Sequence, residues 1–325
     1  MKHAVASVIG LALAAVATPP AQSQSYPSRP VTVMVPFAAG GGTDLLARVV
    51  TQHLGERLGK PFVIENRPGA GTTIAAMATV RAAADGYTLM QATSSTMAIN
   101  VTMYKQLPYE PLKDLTPVAL LSVSPFILVV HNSFPAKSVQ ELIALARDKP
   151  NGLNYGSGGL GSMHHLSTEL LMNLTGMRMT HVPYRATPPA MNDLLAGQIQ
   201  VLFGDTTSVL PLVQQGQVRA LAVSTSYRSD ALPDVPTVVE AGVPGFESAS
   251  WQMLVAPGAT PADIVARLNA EVRAIFSEGA VKQELSRRGV GPMVTGPPDE
   301  LQRFVKREIV RWGEIVKRAG VAGSL

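Results

Sequence analysis

Two hydrophobic periods alternate along the chain from Val31 onward. Short β-branched runs, VTVMVPF from Val31, PFVIENR from Pro61 and GYTLMQA from Gly86, have the apolar density of buried strands. Between them lie segments with helical spacing. In TDLLARVVTQHLGERLG, starting at Thr43, Leu46, Val50 and Leu54 recur every fourth residue beside Leu45 and Val49, and Gly59 suits the left-handed position that ends a helix. TTIAAMATVRAAA, starting at Thr72, predicts the next helix. Strand followed by helix, repeated, is the pattern of a parallel sheet covered on both faces.

The same scheme returns in the middle of the chain. Ser138 and Glu141 stand at capping-box spacing before an apolar helical run, LNY from Leu153 is a short strand, and SMHHLSTELLMNLTG from Ser162 is a helix closed by Gly176. MTHVPY, QVLFG and VRALAV follow as strands, with a helix between the first two that Thr187 and Pro188 open as N-cap and first residue. SASWQMLVAPG from Ser248 reads as a strand leading to a further helix that opens on Thr260 and Pro261. No short fixed period is present, so the reading is two α/β units, in which ligands are expected at the loops after the carboxyl ends of the strands.

Composition narrows the choice. At 325 residues the chain suits two domains, and 46% hydrophobic against 15% charged residues is a globular balance. With 5% aromatics and the basic residues scattered, the net charge of +4 reads as a mild field that favours small anions, and no nucleic-acid partner is expected. Zero cysteines exclude disulfides, thiolate metal sites, a cysteine nucleophile and an N-terminal lipid on cysteine. Lys2, the apolar run from Val5 to Val16 and the small residues and prolines after it predict a signal peptide over residues 1–24, hence an exported, non-lipidated mature chain.

Four loops share a chemistry. Residues 37–44, 67–73, 93–96 and 155–162 each place glycine, serine or threonine after a strand or before a helix, and apart from Arg67 none carries a cation. The first-turn N–H groups of a helix are unpaired and its dipole favours a negative guest, so such loops suit a carboxylate held by backbone. Glycine there lets the backbone come close to the ligand. Asp44 is either a first-turn carboxylate that stabilises its helix or an acceptor for a ligand group, and Asp205, after a strand, faces the same two readings. Trp251 is either core or cleft wall.

Rival motifs are weaker. Gly156, Gly158 and Gly161 match a dinucleotide fingerprint in spacing, with Arg185 placed to meet a 2′-phosphate, but an exported chain meets few nucleotides; no loop ends in the Gly-Lys-Ser or Gly-Lys-Thr of a phosphate-binding loop. Ser157 and Ser162 lie near His164, His165 and His181, which raises a serine hydrolase, but neither serine has glycine two residues to both sides. His165 and Glu169 make too thin a set for a metal, and no cofactor is expected.

The segments YPSRPVTVMVPFAAGGGTD, VIENRPGAGT, DGYTLMQATSST, LPYEPLKDLTPVALL, HVPYRATPPAMNDLLAGQ and VRALAVSTSYRSDALPDVPTVVEAGVPGFE, with the Trp251 segment, resemble the Bug-type extracytoplasmic solute receptors of tripartite tricarboxylate transporters, from about Tyr26 to the C-terminus. The resemblance implies a non-enzymatic periplasmic receptor of two-lobed, type II-like periplasmic-binding-protein fold, each lobe a mainly parallel sheet flanked by helices. Its lobes would be residues 25–125 with 249–325, and 126–248. It would act as a monomer, close over a small mono- or dicarboxylate and deliver it to membrane subunits of the transporter. Carried onto this chain, first-lobe contacts come from Phe37, Ala38, Ala39, Gly40, Gly41, Thr43, Asp44, Gly71, Thr72, Thr93, Ser94 and Ser95. Second-lobe contacts come from Ser157, Gly158, Gly159, Ser162, His165, Tyr184 and Asp205. Met97, His164, Thr72 with Thr73, and the Gly204-Asp205 order depart from the family's usual residues, which bears on which acid binds. A hydrolase of carboxylate esters and a ligand-sensing partner of a membrane signalling protein are the alternatives.

Overall fold

A computed structural model describes residues 26–184, 187–287 and 295–325. The expected signal peptide and Arg185 lie outside the described residues. The strands are β1 (Val31–Val35), β2 (Phe62–Asn66), β3 (Thr88–Thr93), β4 (Leu115–His131), β5 (Asn154–Ser157), β6 (Thr180–Pro183), β7 (Val201–Asp205), β8 (Val218–Val223) and β9 (Ala249–Pro257). They are hydrogen-bonded in the order β2-β1-β3-β9-β4-β7-β5-β6, with β8 also on β4.

Parallel pairing holds inside each half, as the strand-helix alternation implies. β1 pairs in parallel with β2 and β3, and β5 with β6 and β7. The two long strands between the halves are antiparallel to their neighbours. β4 runs against β9 until Pro125 meets Ala249, and from Phe126 onward it pairs instead with β7, and then with β8. One strand thus serves two sheets, and the chain crosses between halves on β4 and β9.

Each half has its own apolar centre. Val31, Val33, Leu46, Val50 and Leu54 pack with Leu254, Leu268 and Val272 in the first, and Ile127, Val129, Leu194 and Leu202 pack in the second. Leu46, Val50 and Leu54 are the periodic positions of the helix Gly42–Leu58, whose last residue is followed by Gly59 at φ 71°. The helix Ala262–Ser277 returns to this half, where Glu271 accepts from Arg57 at 2.7 Å. A third apolar body joins the halves. In it Trp251 is 2% exposed, and its indole N–H, like that of Trp312, donates to Glu308 of the helix Pro298–Arg318, at 2.8 and 2.9 Å. Trp251 is therefore core.

Candidate functional site

A cavity of about 350 Å³ lies where the halves meet. Its first wall is the start of the helix Gly42–Leu58, with Gly42, Thr43, Leu45 and Leu46; its second is the start of the helix Thr206–Gln214, with Asp205, Thr206, Thr207 and Ser208. Ser124, Pro125, Ser250 and Gln252 of the crossing strands line it as well, and Leu285 adds an apolar edge. Gln91 carries this polar wall on, its side-chain amide bonded to the Thr43 carbonyl at 3.0 Å and to the Gln252 side chain. No lysine or arginine is among the described residues that line it. Two helix starts aimed at one cavity offer unpaired N–H groups and two positive dipole ends, the elements of an anion site built from backbone.

The first wall is held by Asp44. Its buried carboxylate accepts from the Gly40 N–H at 2.9 Å, from Asn66 Nδ2 at 3.0 Å and from Arg48 through both oxygens, at 2.8 and 3.2 Å. Burial works against ionisation, but these hydrogen bonds outweigh it and hold the carboxyl below its ordinary range. Asn66 also donates to the Phe37 carbonyl at 2.9 Å. The loop of Phe37, Ala38, Ala39, Gly40 and Gly41 thus stands exposed but anchored at both ends, with Gly40 at φ 87°.

The second wall carries its acid differently. Asp205, at the end of β7, accepts from Thr187 Oγ1 at 3.1 Å and lies 3.2 Å from His164 Nε2. Burial again opposes ionisation, and His164 and Thr187 again outweigh it. Thr43 and Asp205 are the expected contact residues that the cavity brings together.

The other expected contacts sit around this centre. Thr72 is buried and accepts from Thr96 Oγ1 at 2.9 Å, while Gly71 offers its carbonyl to Asn100 at 2.7 Å; Thr93 and Ser94 are buried and Ser95 half-buried at the turn after β3. Ser162 caps the helix Met163–Thr175, accepting from the His165 N–H at 3.3 Å. Tyr184 donates to Asp193 at 2.5 Å, and burial, reinforced by that bond and the Asp193 charge, pushes its hydroxyl up to about 12.

Ser157 stands at nucleophile-base distance from a histidine, 2.6 Å from His181 Nε2. Yet it is fully buried, and its hydroxyl also donates to the Gly159 carbonyl and accepts from the Gly159 N–H, both at 3.1 Å. That arrangement pins a turn; an ester has no approach to it. Below the turn His165 stacks on His181 with centroids 4.1 Å apart, and Gly158 and Gly159 complete the loop above. His165 takes the Gly161 N–H on Nδ1 at 3.1 Å. Burial, and for His165 also the neighbouring His181, pushes the rings down to about 3 and about 4, so both are neutral at pH 7.

Gly42 falls within the loop 37–44 expected from the sequence, whereas Leu45, Leu46, Ser124, Pro125, Thr206, Thr207, Ser208, Ser250, Gln252 and Leu285 were not named as lining residues. The Asp-Thr-Thr-Ser run after β7 carried a usable signal, an N-cap residue followed by hydroxyls.

Comparison with known proteins gives a consistent set. Residues 46–321 match the model of the Tripartite tricarboxylate transporter family receptor. Protein BugT of Bordetella pertussis is 36% identical over 316 residues, covering 97% of each chain. Among solved structures, R. palustris Rpa4515 with adipate has a TM-score of 0.80 at 41% identity, covering 91% of this chain and 99% of that one. MatC from Rhodopseudomonas palustris with bound malate has a TM-score of 0.74 at 38% identity, covering 90% and 100%.

Proposed function

The chain belongs to the tripartite tricarboxylate transporter receptor family, and from that premise we propose that it is a periplasmic receptor that captures a small mono- or dicarboxylate in the interlobe cavity and delivers it to membrane subunits of such a transporter. The observation that carries this is the pair of helix starts, one from each half, facing a single cavity with no lysine or arginine among its described lining residues. Relatives bound to adipate and malate support the ligand class.

The proposed lobes are residues 25–125 with 249–325, and 126–248; the change of partner on β4 between Pro125 and Phe126 supports that division. A ligand touching both helix starts stabilises the closed arrangement by its differential contacts, which is how hinge closure is driven. The proposed contact set retains all the loops expected from the sequence and adds Thr206, Thr207 and Ser208. The protein acts as an exported, non-lipidated monomer and performs no catalysis.

The experiment is a thermal-shift panel of succinate, malate, adipate and benzoate on refolded, ligand-free mature chain. An acid at 100 times its Kd stabilises by about 2.7 kcal/mol, and a panel in which none raises Tm overturns the reading.

A further inference from the structure

Asp205 occupies the N-cap position of the helix Thr206–Gln214, with extended backbone angles (φ −61°, ψ 136°), yet its side chain makes no capping bond. Aspartate is among the residues that most readily cap, its oxygen accepting from the second or third N–H of the helix. Elsewhere in this chain the cap is made: Ser138 Oγ accepts from the Glu141 N–H at 3.2 Å, and Ser162 Oγ from the His165 N–H at 3.3 Å. At Asp205 the carboxylate turns instead to Thr187 Oγ1 and His164 Nε2. Both partners are well fixed. Thr187 is 8% exposed, and the His164 side chain, 12% exposed, lies edge-on against Phe126 with centroids 4.9 Å apart.

The consequence lies at the cavity, because Thr207 and Ser208, whose N–H groups an Asp205 cap would occupy, are lining residues. A carboxylate tethered two to three residues away is an intramolecular competitor for any ligand carboxylate, at an effective concentration set by its short tether. Resting on the reading of this cavity as an anion site, we propose that His164 and Thr187 are positioning residues: they hold Asp205 off the start of its own helix and keep that start open to the ligand.

The test is a cycle read in two ways, by amide hydrogen exchange at Thr207 and Ser208 in ligand-free protein and by calorimetric affinity for succinate and adipate. In His164→Ala the freed carboxylate swings onto the helix, exchange at these amides slows and affinity falls about tenfold, the scale of a capping bond. Adding Asp205→Ala to His164→Ala returns exchange to the faster rate and recovers affinity. A merely structural role for His164 predicts no recovery. His164→Gln, which keeps a donor, stays within about threefold of the parent, and Thr187→Val moves both readouts in the direction of His164→Ala by less. Should His164→Ala fail to fold, Thr187→Val with and without Asp205→Ala carries the same cycle. Parental exchange in His164→Ala, or a double variant no better than the single, overturns the proposal. A parent that binds none of the acids overturns the function instead, and the exchange cycle still decides the role of His164.

Discussion

Asp44 and Asp205 stand at the starts of the two helices that face the cavity, and the halves treat them differently. Asp44 is 1% exposed and takes four hydrogen bonds, two of them from an arginine one turn along its own helix. The Asp205 side chain is 42% exposed and depends on residues from two other helices. The first wall is thus a mostly local device, one loop and one helix pinned by Asn66 from the end of β2; the second is assembled from distant segments. A local ion pair needs only its own segment in order, whereas the second wall fails if any of its contributors moves.

Acid should separate the two, with the largest effect in the set. His165 and His181 are held at about 3 and about 4 in the folded protein, below the ordinary histidine value of 6.5. The unfolded chain therefore binds protons that the folded one refuses, and stability is complete above pH 6.5 and falls as pH drops toward 4. Each such proton is worth about 1.4 kcal/mol per pH unit. Asp44, with a depressed folded value, keeps its contribution down to about pH 4, the ordinary carboxylate range, and loses it only below. Glu169, raised by burial and accepting from Tyr155 at 2.7 Å, contributes the opposite slope just above its ordinary 4.5, and Glu169→Gln removes that term. Urea unfolding from pH 7 to 4.5 in that background should show stability falling with at least one proton taken up; a flat profile would mean the stacked histidines are not the buried neutral pair described.

Next in size is the paired deletion of the acids. Asp44→Ala leaves Arg48, the Gly40 N–H and Asn66 without their common acceptor and should lower stability by about 2 kcal/mol. Asp205→Ala removes a more exposed group and should change stability by less than about 1 kcal/mol. Equal losses in chemical denaturation would erase the contrast.

How far these features could be read in advance follows the same division. The helix Gly42–Leu58, its glycine stop, the first loop and the Ser138 cap were all legible because their signals are local, in periodicity and capping chemistry. The long strand β4 was not read as a strand: Pro117 and Pro125 interrupt its pattern, and its pairing with β9 joins residues more than 120 positions apart. The helix Thr206–Gln214 was missed as well, since Pro211 lies inside it. Five of the thirteen described lining residues come from that strand and that helix. The loop and helix of the first wall were therefore visible in sequence, though Leu45 and Leu46 read as helix core, whereas of the second wall only Asp205 was.

The smallest of these effects tests whether the first wall works by its backbone. Gly41 has extended angles that any residue adopts (φ −77°, ψ 167°), and the nearest atom to an added Cβ is the Ala38 carbonyl oxygen at 3.8 Å. Gly41→Val should therefore leave stability within about 0.5 kcal/mol of the parent. Its branched side chain nevertheless sits at the mouth of the helix, over the N–H groups of Gly42 and Thr43, and should weaken carboxylate binding about tenfold, some 1.4 kcal/mol. Gly40→Ala is the control. There φ is 87° with open space around the added atom, so the cost falls on the backbone, about 1 kcal/mol of stability. Calorimetric affinities and thermal melts of the two variants read them separately. If Gly41→Val binds like the parent, the helix start of the first half is not where the anion sits, and the cavity's chemistry rests on the second wall alone.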